Sequence, residues 1–239
     1  MPRSRFNADA FSNPNSDSPG SIPSSGGYFI DEDIRSFENG FFGVNNLEAM
    51  HMDPQQRKLL EVVYECFENA GAPLDTISGA NIGCYVANFT LDYFLMQCKD
   101  PEYFHRYSST GMGTAILANR ISHVFNLLGP SLVLDTACSS SLYCLHMACT
   151  ALLANECDAA VVAGANLIQS PEMHLAIVKS GVISSTSTCH TFDSSANGYG
   201  RAEGVGALYL KRLSDAIRDN DPIRSIIRGT AINRSVFRT

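Results

Sequence analysis

Residues 131–142, SLVLDTACSSSL, set one cysteine, Cys138, on a tight turn between a short β-branched and apolar run and a helical pattern. Residues 139–153 carry apolar side chains at Leu142, Leu145, Cys149, Leu152 and Leu153, the spacing of one helix face. Cys138 is therefore expected at a helix N-terminus. Unpaired N–H groups and the macrodipole there favour a thiolate and can donate to an oxyanion on a bound acyl group, so the pattern points to acyl transfer through a thioester. The competing reading is a packing cysteine, since free cysteine is among the most buried residue types. A hydrolase reading fails on spacing: the nucleophile elbow wants glycine two residues either side, where this sequence has Thr136 and Ser140.

No second catalytic group stands out. His146 lies two helical turns beyond Cys138, roughly 12 Å along the axis, too far for a base that must reach the thiol by a hydrogen bond, and is read as a packing residue. His51, His105, His123, His174 and His190 lack a context that marks a base. Gly198, Gly200, Gly204 and Gly206 follow a polar loop and precede a strand, whereas a dinucleotide fingerprint follows a strand and opens a helix, so they read as a close-passing turn. Arg201 and Glu203 in that turn are expected to form a structural ion pair. The cysteines at 66, 84, 98, 138, 144, 149, 157 and 189 form no CxxC pair and no zinc-finger spacing with histidine, so they read as reduced thiols with no metal site.

The elements that must position Cys138 follow from local signals. Asp53 reads as an N-cap with Pro54 at the first helical position, an apolar face of Leu59, Val63, Cys66, Phe67 and Ala70, and Gly71 closing the helix. Residues 81–88 read as a strand, 114–128 as a helix stopped by Gly129 and Pro130, and 159–163 as a strand. A helix capped by Ser170, with Pro171 at its start, runs towards Gly181. Strands at 206–210 and 223–227 flank a short helix at 214–219. Strands alternating with helices predict an α/β fold with a mostly parallel sheet and helices on both faces. Residues 12–27, rich in Ser, Pro, Asn and Gly, read as an irregular surface segment or a partly ordered loop.

The 239 residues, 45% hydrophobic and 17% charged, suit a single large core. A net charge of -7 disfavours nucleic acid and a polybasic membrane anchor, and no apolar run approaches membrane-spanning length. Residues 1–11 lack the apolar region of a signal peptide, which makes the cytoplasm the expected location.

The octamer DTACSSSL closely resembles the active-site segment of the β-ketoacyl synthases, the condensing domains of polyketide and fatty acid synthases. The resemblance extends from Ser4 to about Asn233 through MDPQQR at 52–57, ENAG at 68–71, ANRISH at 118–123, FDSSANGYGRAEG at 192–204 and IRGTAIN at 227–233. The opening PRSRFNADAF and DSPGSIPSSGGYF are most similar to the iterative, highly reducing polyketide synthases of filamentous fungi. The resemblance implies a thiolase-like layered fold, incomplete here, with 1–40 an irregular N-terminal segment, 41–233 a partial ketosynthase N-terminal domain and 234–239 a divergent tail. It implies that Cys138 receives an acyl chain carried on the phosphopantetheine of an acyl carrier protein, with no cofactor bound directly. That chain then passes to a decarboxylated malonyl unit in a decarboxylative condensation. Carrier and acyltransferase domains are the implied partners, with a homodimer in the complete domain. The family's two later histidines, one in HGTGT and one near a lysine, are absent from this sequence, which resembles roughly the first half of the domain. An expectation of another class is therefore a non-catalytic remnant or interaction module, because a missing half leaves apolar surface uncovered.

Overall fold

Asp53 and Pro54 open a 16-residue helix, as their cap and N1 chemistry predicts: the Asp53 carboxylate accepts from the Gln55 N–H, and Gly71, at φ 67°, takes the left-handed turn beyond the helix end. The computed structural model describes every residue except 1, 3, 12, 14, 16, 17, 23–25 and 234–239, so the 234–239 tail lies outside the described residues. In chain order the elements are α1 (Asn46–His51), α2 (Pro54–Asn69), α3 (Leu74–Ile77), β1 (Ile82–Asn88), α4 (Asp92–Gln97), α5 (Ser108–Met112), α6 (Ile116–Val124), β2 (Ser131–Leu134), α7 (Ser140–Leu153), β3 (Ala159–Asn166), α8 (Pro171–Lys179), β4 (Gly204–Lys211) and α9 (Leu213–Arg218).

The sheet order is β2-β1-β3-β4. β1 pairs in parallel with β2 and with β3, while β4 runs antiparallel to β3, so the sheet is mostly parallel with one reversed edge. Alternate side chains divide the core between the two faces. Cys84, Val86, Val161 and Ala163 meet Leu59, Leu60, Val63 and Phe67 of α2 and Ile121 of α6. Tyr85, Ala87, Ala160 and Val162 meet Cys144, Ala148 and Leu152 of α7. All seven β1 residues are buried, which explains why its sequence is a continuous apolar run.

Four expectations change. The helix expected over 114–128 forms but is shorter, α6 at Ile116–Val124, because the chain leaves it through Asn126 at φ 53°. α7 is rotated from the expected face: Cys144, Ala148, Ala151 and Leu152 are buried and Leu145 packs partly buried against them, while Leu142 is 67% and Leu153 81% exposed. Small side chains let the helix backbone approach the strands, and a helix apolar nearly all round has no period that selects a face. Residues 223–227 belong to no ladder among the described residues. Instead, Tyr143 Oη donates to the Asn233 carbonyl (3.1 Å) and His146 Nδ1 bonds Thr230 Oγ1 (2.9 Å), tying that part of the chain to α7. Finally, within 12–27, Ser21 and Ile22 are buried rather than at the surface.

Glu203 is ion-paired, but with Arg5, not Arg201. The two-pronged contact measures 2.7 Å on both prongs, both side chains are buried, and Glu203 also accepts the N–H groups of Ile30 and Ile168. Tyr28 joins the same strap, donating its N–H to the Arg201 carbonyl and accepting from the Glu203 N–H.

Candidate active site

β2 ends at Leu134, and the four residues after it turn the chain through Cys138 into α7. Cys138 is exposed and stands one residue before the N-cap, Ser139, at the helix start the sequence predicts. The turn is cross-braced by its own short polar side chains. Asp135 Oδ1 accepts the Ala137 N–H (2.9 Å), Ser139 Oγ donates to the Thr136 carbonyl (2.8 Å), and the buried Ser140 hydroxyl accepts from the Thr136 N–H (2.7 Å) and donates to the Ala137 carbonyl (2.6 Å). Ala137 sits at φ 55°, a left-handed conformation uncommon for a residue with a Cβ.

Cys138 opens onto a cavity of about 970 Å³. Its floor is laid by the carboxyl ends of the parallel strands, Asn88 of β1 and Asn166 of β3, the edge of such sheets where ligands bind. Leu142, Ile177, Val182 and Leu208 give it apolar walls, and Gly206 of β4 lies beside them. The walls from β4 carry no local sequence signal, because sheet pairing alone brings residues 206–208 beside residue 138. Such a room suits an aliphatic chain attached through a thioester at its mouth.

Beneath one wall lies a buried polar group. Arg201 is 3% exposed and lines the cavity with its terminal nitrogens enclosed. Burial lowers its pKa, opposed by the charge of Asp92, whose own carboxyl is pushed up by burial although two backbone N–H groups, from Gln169 and Ser170, donate to it. His174 of α8 is buried beside them and pushed down to about 4, first by burial and then by the Arg201 charge.

The buried part of MDPQQR forms a second polar group under β1. Gln55 Oε1 accepts from Asn88 Nδ2 (3.2 Å), Thr90 Oγ1 (3.0 Å) and the Leu167 N–H (3.3 Å), while Asp53 accepts from Gln55 and Gln169. This network holds Asn88, and with it the floor of the cavity, against α2. Burial raises the pKa of Asp53 above its ordinary value.

The structure brings none of the remaining candidates to the thiol. His146 bonds Thr230, His51 and His105 stack on each other (4.7 Å between ring centres), and His190 bonds Thr186. Burial raises the pKa of Cys66, Cys84, Cys144, Cys149 and Cys157, with Cys84 reaching about 12 and Cys144 about 11, which leaves Cys98, Cys138 and Cys189 as the exposed thiols. Among the described residues no cluster of three or more His, Cys, Asp or Glu is arranged to hold a metal ion, and no helix is long and apolar enough to cross a membrane.

Known proteins resemble this chain closely in sequence and fold. The family described as "Beta-ketoacyl synthase, N-terminal domain" matches residues 1–216. The highly reducing polyketide synthase srdA of Neurospora crassa is 73% identical over 98% of the chain, and highly reducing polyketide synthase 19 of Pyricularia oryzae 70% identical over 98%. The chain spans only 10% and 9% of those two proteins. Among solved structures, an oxazolomycin ketosynthase domain from Streptomyces albus superposes with a TM-score of 0.84 at 36% identity, over 93% of this chain and 39% of that one. The ketosynthase from module 6 of the bacillaene synthase of Bacillus subtilis gives 0.79 at 36% identity, over 93% and 36%.

Proposed function

The chain belongs to the β-ketoacyl synthase family, and on that premise we propose that Cys138 is the acyl acceptor of a polyketide-synthase condensing domain. What carries the reading is the placement of one exposed thiol at the start of α7 and at the mouth of a largely apolar cavity. In the step, the Cys138 sulfur attacks the carbonyl carbon of an acyl thioester on a carrier protein's phosphopantetheine. The carbonyl π bond opens to an oxyanion, which the Cys138 N–H and the positive end of the α7 dipole stabilise. When the oxyanion collapses, the carbon–sulfur bond to pantetheine breaks, and the departing thiolate takes up the proton that Cys138 released. The products are an acyl-Cys138 thioester and a free pantetheine thiol.

In the family the acyl chain then moves to the carbanion formed when malonyl-carrier protein loses carbon dioxide, a step that uses histidines in motifs outside this sequence. We assign this stretch the acyl-acceptance half of an acyltransferase of the 3-oxoacyl synthase type, serving secondary-metabolite assembly in the cytoplasm. It would work beside carrier and acyltransferase domains and as part of a homodimer.

The test is intact-protein mass after incubation with an acyl-pantetheine thioester. The expected result is a gain of one acyl group by the wild-type chain and none by Cys138→Ala. Equal acylation of the two proteins would falsify the assignment of Cys138.

A further inference from the structure

We propose that Ser140 is a positioning residue for Cys138: its buried hydroxyl pins the peptide plane between Ala137 and Cys138 and thereby aims the nucleophile and its backbone N–H. The proposal rests on Cys138 being the acyl acceptor. Ser140 is 4% exposed and stands at the first position of α7, where a side chain is normally free to face solvent. Its hydroxyl instead turns back over the turn. It accepts the Thr136 N–H at 2.7 Å and donates to the Ala137 carbonyl at 2.6 Å, so one oxygen grips both ends of the Thr136–Ala137 pair. Ala137 between them is held at φ 55°, a conformation that side chains with a Cβ leave when nothing restrains them.

The consequence for Cys138 follows from peptide geometry. The Ala137 carbonyl and the Cys138 N–H belong to one planar trans unit and point in opposite directions. Fixing the carbonyl towards Ser140 therefore fixes the Cys138 N–H on the far side of that plane. A donor that must meet an oxyanion needs this fixed direction before the reaction begins. Ser139 braces the same turn through the Thr136 carbonyl, and Asp135 through the Ala137 N–H, but neither touches the carbonyl that shares a plane with the Cys138 N–H; that carbonyl also accepts the Ser140 N–H at 3.2 Å, a longer contact than the hydroxyl's 2.6 Å.

The experiment compares the 239-residue chain with its Ser140→Ala and Ser140→Thr variants. Three quantities are read: the rate of acyl transfer to residue 138 at saturating acyl-pantetheine, the concentration giving half that rate, and the rate of iodoacetamide alkylation of Cys138 itself, read on its own peptide because Cys98 and Cys189 are exposed too. Ser140→Ala is expected to keep its circular dichroism and to alkylate within about threefold of wild type, while its maximal acylation rate falls on the order of 10- to 100-fold with half-saturation little changed. Ser140→Thr, which keeps the hydroxyl, is expected to acylate within about threefold of wild type, and it carries the test alone should Ser140→Ala not fold. Acylation by folded Ser140→Ala at the wild-type rate overturns the proposal, as does an equal loss of acylation and alkylation. A folded Ser140→Thr chain as slow as Ser140→Ala, or slower than wild type by tenfold or more, overturns it too. If the wild-type chain takes up no acyl group at all, the acceptor reading itself fails, and the proposal falls with it.

Discussion

The Arg5–Glu203 pair shows how much rests on single side chains away from Cys138. Both groups are buried, and Glu203 also collects two backbone N–H groups. Removing one partner of a buried pair strands the other charge in a medium that cannot solvate it, typically at a cost of about 3–5 kcal/mol. Arg5→Met is therefore expected to lower the unfolding free energy by about that amount in urea titrations, with part recovered in Arg5→Met/Glu203→Gln, which leaves no buried charge. Near-wild-type stability of Arg5→Met would show that the pair contributes little. The residue types at this site are readable in the sequence but their pairing is not: Arg201 is two residues from Glu203 and is the obvious partner by proximity, yet the fold brings Arg5 to that carboxylate instead.

At the level of elements, α7 makes the sharpest prediction. Three of its buried side chains, Cys144, Ala148 and Ala151, are small, so Ala148→Leu forces extra methylenes between helix and strands and is expected to cost about 1–3 kcal/mol. Leu153→Ala, on the exposed side, is expected to stay within about 0.5 kcal/mol of wild type. Thermal midpoints of the two variants give the check, and the reverse order would place Leu153 rather than Ala148 against the sheet. The sequence is legible where chemistry is local. The Asp53 cap, Pro54, Gly71 and the apolar runs of β1 and β3 all form near where their residue types direct. It is illegible where the outcome depends on a neighbour. α7 has apolar residues on both sides, so only the strands beneath it choose the buried one. Residues 223–227 have a strand's composition, but they pair with no strand among the described residues. The site divides in the same way: the turn holding Cys138 is readable, whereas the cavity walls from β4 and α8 are not.

For the molecule as a whole, acidity is a test of how the layers are clamped. His174 of α8 meets Phe6 at 6.1 Å between rings, and its pKa is pushed down from 6.5 to about 4. The fold holds the imidazole neutral while the unfolded chain accepts a proton readily. Its stabilisation is therefore complete above about pH 6.5 and is lost as the pH falls from there towards about 4. Over that window the wild-type unfolding free energy is expected to fall more steeply than that of His174→Phe. Asp53 and Asp92, whose pKa values are raised, act in the opposite sense but are common to both proteins. Parallel curves would mean that His174 does not set the slope. The strap of Arg5, Tyr28 and Ile30 on residues 201–203 has a further consequence, in time rather than in space. A ribosome makes Arg5 first and Glu203 198 positions later, a wait on the order of 10 to 40 s at common synthesis rates. Throughout that interval the N-terminal strap has no seat, so the nascent chain offers it to proteases and chaperones until β4 emerges.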